Sequence, residues 1–218
     1  MKNLLRSFLI LSAVTLVSCQ QKNIVELSLP FEKYELDNGL NVILHEDKSD
    51  PIVSVAIYYH VGSNREVPGR TGFAHLFEHV MFQQSENVPE DQFFRLIQNA
   101  GGTLNGSTNQ DRTNYYEVVP KNALEMVLWM ESDRMGYLEN TITKQTFAVQ
   151  QNVVQNEKRQ NYDNRPYGHN STVLARAMFP EGHPYSWTTI GEIQDLFNAT
   201  VEDVKEFHGR FYVPNNAT

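Results

Sequence analysis

Eleven consecutive residues, Gly72-Phe-Ala-His75-Leu-Phe-Glu78-His79-Val-Met-Phe82, restrict this chain more than any other stretch. A helix turns about 100° per residue, so His75 and His79 fall about 40° apart, with Glu78 about 60° to the other side of His75. Phe73, Leu76, Phe77, Val80 and Met81 occupy the opposite arc. Such a helix buries one face in a core and leaves the other offering two imidazoles and a carboxylate. Neutral imidazoles at i and i+4 can share a zinc ion. The carboxylate beside them is placed to take a proton from a water that the ion polarises. The competing reading is a surface helix whose histidines have no special role. Three fixed positions in five residues arise by chance in on the order of one chain in a hundred of this length, which favours the metal.

The surrounding pattern is mixed. Residues 34–36 and 40–44 are strand-like and flank Asp37-Asn38-Gly39, a hairpin signal because Asn-Gly tolerates positive φ. Residues 52–60 form an apolar, β-branched and aromatic run, and residues 113–119 another that stops at Pro120. Helical patterns cover residues 72–83, then run from Pro89 to the stop at Gly101-Gly102, then 123–135 and 144–160. A further helix opens at Thr200, with Asp203 three residues on. Strands lead and then mix with helices without a regular βαβ period, which predicts an α+β fold with a largely antiparallel sheet covered by helices.

Lys and Arg total 18 against 26 Asp and Glu, a net charge of −8, with no basic face that would suit nucleic acid. Lys2 and Arg6 precede an apolar stretch at residues 8–17, too short for a permanent span and read as a leader over residues 1–18. Leu16-Val17-Ser18-Cys19 resembles a bacterial lipobox, which implies lipidation of Cys19. The resemblance places the protein at a bacterial cell envelope, anchored to the membrane by lipid and facing the periplasm or exterior. Residues 19–23 would be a tether, and residues 24–218 the folded domain. Cys19 is the single cysteine, so that domain has neither an internal disulfide nor a cysteine nucleophile.

A catalytic zinc takes three protein ligands and keeps a fourth position open, so a third donor must come from outside the first helix. Taken alone, Glu157 in Val153-Val-Gln-Asn-Glu157-Lys-Arg-Gln160 reads as an ordinary exposed helix carboxylate. Together the two segments resemble the M16 family of zinc peptidases, which carry the inverzincin order H-x-x-E-H. The resemblance implies that Glu157, 78 residues after His79, joins His75 and His79 in holding one zinc ion per chain, with Glu78 as general base. It extends to Gly102-Thr-Leu-Asn105-Gly106-Ser107-Thr108 and Asp111-Arg-Thr113-Asn-Tyr115, similar to an edge strand that pairs with extended substrate. Asn105, Gly106, Ser107 and Thr108 are therefore expected to bind peptide, although the same residues also suit a plain turn. Asn164-Arg-Pro166-Tyr167-Gly168 and Gly182-His183-Pro184-Tyr185 are similar to family segments too, with His183 expected to be structural or peripheral.

Several family members carry a second glutamate two turns before the ligand glutamate. Here that position is Gln150, which cannot act as a base. The closing Tyr212-Val-Pro214-Asn215-Asn216 resembles a segment that leads into another strand of the same domain. The family pattern therefore implies that residues 24–218 are an M16-like catalytic domain lacking its final strand and the second M16-type domain, the latter expected in the same full-length chain or a partner subunit. The expected activity is zinc-dependent endopeptidase action on peptides or unfolded polypeptides. The alternative is a non-catalytic M16-like peptide-binding or partner subunit, though such subunits lack parts of the motif kept here.

Overall fold

The computed structural model describes residues 28–218; the expected leader, Cys19 and the tether lie outside the described residues. The chain divides into a unit Met1–Phe31, of which residues 28–31 are described and carry no helix or strand, and a unit Glu32–Thr218. Every element below belongs to the second unit.

The strands form two antiparallel sheets. The first is the hairpin of β1 (Glu32–Glu35) and β2 (Asn41–Leu44). Its turn uses Gly39 at φ 86°, and a Cβ there would stand 2.7 Å from Asn215 Cβ, so both the turn and the close approach require glycine. The second sheet holds β3 (Ile52–Tyr59), β4 (Thr103–Thr108) and β5 (Thr113–Pro120) in the order β3-β5-β4. Along β3 exposed residues alternate with more buried ones, as expected of a strand with one face on a core. Residues 216–218 run along the other side of β3, where His60 N donates to Asn216 O at 3.0 Å and Tyr58 N to Thr218 O at 2.8 Å.

The helices are α1 (Phe73–Val80), α2 (Gln92–Asn99), α3 (Leu124–Tyr137), α4 (Lys144–Lys158), α5 (Asn170–Met178), α6 (Ile193–Asn198) and α7 (Val201–Phe211). Irregularly interleaved helices and strands with antiparallel pairing bear out the α+β expectation. Boundaries shift from the sequence reading at several helices, and two of the shifts have a local backbone cause. The helix expected from Pro89 begins at Gln92, because Asp91 takes φ 62° and residues 89–92 close a turn through Gln92 N to Pro89 O. The helix expected to reach residue 160 ends at Lys158 and passes into a π-helical turn, Arg159–Asp163.

Two apolar clusters carry the packing. The first gathers Leu76, Phe77 and Met81 from α1 and the turn after it against Tyr59, Tyr115 and Tyr212. The Phe77 ring stacks on Tyr212 with centroids 4.7 Å apart. Each such side chain contributes about 1.5–3 kcal/mol on full burial, so this cluster fixes which face of α1 points inward. The second joins α2, β5 and α3 through Phe93, Ile97, Val119, Val127 and Met130. Arg134 bridges the two clusters, fully buried, with its guanidinium over the Tyr115 ring at 4.1 Å and ion pairs to Glu131 and Glu117.

Candidate metal centre

With the apolar face of α1 committed to the core, His75, Glu78 and His79 turn the other way and remain only part-buried. The helix has no cap of its own. Gly72 precedes it at φ 86°, and the first amides are taken by a remote side chain: Glu66 Oε2 accepts from Gly72 N at 3.0 Å and Oε1 from Ala74 N at 2.9 Å. Glu66 thus satisfies donors that a helix N-terminus leaves open. A Cβ on Gly72 would meet Ile190 O at 2.7 Å, so glycine is needed there for space as well as for φ.

Helix α4 crosses α1 and brings Glu157 to the two histidines. Nε2 of His75 and Nε2 of His79 are 3.3 Å apart. Glu157 Oε2 lies 3.6 Å from the first and 3.4 Å from the second. Ligands about 2.0–2.1 Å from a tetrahedral zinc stand about 3.3–3.4 Å from one another, so this triangle suits the edges of that tetrahedron. Two imidazole nitrogens and one carboxylate oxygen also form a donor set that zinc accepts. Glu157 is held below the usual carboxylate range by its hydrogen bond from His79, against a burial penalty, with His75 and a hydrogen bond from Asn161 helping. Burial first, then the neighbouring His79, holds His75 below the usual imidazole value, which leaves its ring neutral and fit to donate a lone pair.

Glu78 sits one residue before His79, and its Oε2 accepts from Thr108 Oγ1 at 2.5 Å. Burial raises the Glu78 carboxyl, and the Thr108 hydrogen bond opposes that shift. Thr108 ends β4, opposite Thr113 on β5, whose hydroxyl donates to Val61 O at 2.9 Å. The structure therefore brings Thr108, expected to touch peptide, directly onto Glu78. The other three expected peptide contacts lie along β4. Asn105 is exposed, with its side-chain oxygen on Gly106 N at 2.8 Å. Gly106 lies under the Phe82 ring, where a Cβ would come within 2.9 Å. Ser107 donates to Asn114 Oδ1 at 2.7 Å. Among the described residues no strand pairs with the outer edge of β4. His183 is elsewhere, exposed and stacked on Phe179 at 4.9 Å, and takes no part in the triangle.

Glu66 and Asn161 carry no signal in the sequence, and Thr113 appears there only within a family-like segment with no role of its own. Each acts across a loop, a π turn or a strand register, and none of these is visible in local composition.

The family model described as Insulinase (Peptidase family M16) matches residues 41–184, which hold the whole triangle. The chain belongs to this family. It is 33% identical over 212 residues to the zinc protease PqqE of Helicobacter pylori, covering 95% of this chain and 46% of that protein. Among solved structures, a protease from Helicobacter pylori superposes with a TM-score of 0.83 at 32% identity, over 88% of this chain and 45% of that one. Pitrilysin superposes with a TM-score of 0.75 at 25% identity, over 88% and 21%. The chain thus spans less than half the length of these relatives.

Proposed function

We propose that the chain is the metal-holding part of a zinc-dependent endopeptidase acting on peptides or unfolded polypeptides. His75, His79 and Glu157 hold one zinc ion, and Glu78 is the general base. The observation that carries this reading is the triangle of donor atoms 3.3–3.6 Å on a side, with a second carboxylate beside it on α1. The naming of one relative as a zinc protease supports it. When bound, the ion supplies Lewis acidity to a water and to the scissile carbonyl.

The chain's own residues supply the rest. Glu78, whose carboxyl burial makes more basic, takes a proton from the attacking water at its carboxylate and delivers it to the leaving amine. Thr108 Oγ1 holds the Oε2 atom of that carboxylate, which fixes its orientation toward the triangle. The open edge of β4, residues 105–108, offers ladder hydrogen bonds to an extended peptide, which orients the scissile bond without demanding a particular side chain. Gln150 adds no second base on α4. A second M16-type domain, in the same full-length chain or a partner subunit, closes over the peptide. Lipid on Cys19 anchors the protein at the cell envelope, facing the periplasm or exterior.

The decisive experiment pairs metal content with turnover. Glu78→Gln should keep about one zinc per chain and lose roughly 10²–10⁴-fold in peptidase rate, because an amide cannot accept the proton. The double substitution His75→Ala, His79→Ala should lose both zinc and activity. Near-normal turnover by Glu78→Gln removes the base assignment, and undiminished zinc in the double variant removes the ligand assignment.

A further inference from the structure

Lys158 is the last residue of α4 and follows Glu157 directly. Successive helical residues point about 100° apart, so while Glu157 faces the histidines, Lys158 faces a different neighbour. That neighbour is the segment leading into α6. Lys158 is 8% exposed, and its ammonium donates to Gly191 O. Its other contact is the ring of Tyr162, in the π turn, at 5.8 Å. Among the described residues no carboxylate forms an ion pair with it. A buried cation without a counter-charge is costly, and methionine would fill similar space without that cost. What lysine adds is a directed bond to one carbonyl.

Gly191 is in turn locked to the start of α1. It takes φ 70°, and a Cβ on it would fall 2.4 Å from Gly72 N. Thr71, beside Gly72, gives its amide and its hydroxyl to Asp195 Oδ2 at 3.0 and 2.6 Å, and its hydroxyl accepts from Glu192 N at 2.9 Å. Residues 190–195 are thus a wedge fastened to the head of the helix that carries His75 and His79. Lys158 ties the far helix to that wedge one residue from the third donor.

We propose that Lys158 is a positioning residue: its bond to Gly191 O sets Glu157 at the distance from His75 and His79 that a metal ion requires. The proposal rests on the ligand reading given under Proposed function. Side chains that orient metal ligands from outside the coordination shell typically change metal affinity by about 10–100-fold when removed.

The test titrates cobalt(II) into the metal-free protein, reading affinity by competition with a chelating dye and geometry from the visible d–d absorption. Lys158→Met and Lys158→Gln are compared with wild type and with Val127→Ala, a buried substitution in the second cluster that lowers stability without touching the wedge. All are measured at a temperature where circular dichroism shows each variant folded, and Lys158→Gln stands in if Lys158→Met fails to fold. The expected result is about 10–100-fold weaker cobalt binding and an altered absorption band in the Lys158 variants, with Val127→Ala unchanged. If wild type binds no cobalt, or binds it independently of His75 and His79, the ligand reading itself fails. If wild type binds through those histidines and the Lys158 variants bind equally well, the positioning role is overturned while the ligand reading stands. An equal loss in Val127→Ala also overturns it, by reducing the effect to global stability.

Discussion

Helices α1 and α4 face each other across the same three donor atoms, and they are held in place in opposite ways. Helix α1 has eight residues, five of them buried, and no side-chain cap of its own; its first amides are satisfied by Glu66 from a loop. Helix α4 has fifteen residues and a capping box in which Thr143 and Thr146 serve each other's backbone amides. An isolated helix as short as α1 is unstable in water, because nucleation costs more than so few turns return. Its position is therefore imposed by tertiary contacts, whereas the start of α4 is written in its own sequence. The difference teaches that the donors on α1 depend on residues far from them in the chain, and that stability should respond very unequally to changes at the two helix starts.

The largest effect is expected at Gly72. Alanine there must adopt φ 86° and would press its Cβ to 2.7 Å from Ile190 O. Left-handed backbone costs an alanine about 1–2 kcal/mol. Overpacking adds about 1–3 kcal/mol, so Gly72→Ala should lose about 2–5 kcal/mol in denaturant unfolding. A loss under about 1 kcal/mol would show that α1 can shift away from the wedge, and the contrast with α4 would collapse.

Glu66→Ala comes next, with a loss of about 2–4 kcal/mol, because two buried amides are left without an acceptor. The same residue makes a pH-dependent prediction. Burial pushes the Glu66 carboxyl up to about 8, opposed by the Ala74 and Gly72 amides. An acid whose folded value lies above its unfolded one keeps its proton longer in the fold. Its stabilising contribution is then complete below about pH 4.5 and is lost as pH rises toward 8. Glu66→Gln cannot titrate. Its stability relative to wild type should therefore improve between pH 5 and 8, as followed by urea unfolding at each pH. A constant difference across that range would show that Glu66 is already ionised in the fold.

The same contrast decides how much of the site is legible in the sequence. Helix α1 is legible because its apolar arc and its three polar residues obey one period, and the fold follows from burying that arc. Glu157 is not legible from its own surroundings, since a carboxylate on a half-exposed helix looks like any other; only likeness to a family singles it out. Residues 105–108 suit a turn by composition, and become a strand because β5 supplies a partner in register. The contact of Thr108 with Glu78 needs that register and α1 together, so no local pattern announces it. Pro89 misleads in the opposite direction: proline suits a first helical turn, but Asp91 at φ 62° interrupts the backbone before α2 begins.

The smallest effect sharpens the other side of the comparison. Thr143→Ala removes the hydroxyl that accepts from Thr146 N at 3.2 Å, and with it half of the capping box of α4. Loss of such a cap costs about 1 kcal/mol. The neighbourhood is exposed, so water can take up the freed amide, which keeps the cost at this level rather than that of Glu66. Residues 147–158 remain anchored by Phe147 and Val154 in the core, and Glu157 lies near the far end of the helix. Fraying at Thr143 should then leave the triangle undisturbed. Zinc affinity in Thr143→Ala is expected to match wild type within about twofold while unfolding shifts by about 1 kcal/mol. A fall in zinc affinity well beyond twofold would mean that α4, like α1, needs its first turn to place its donor.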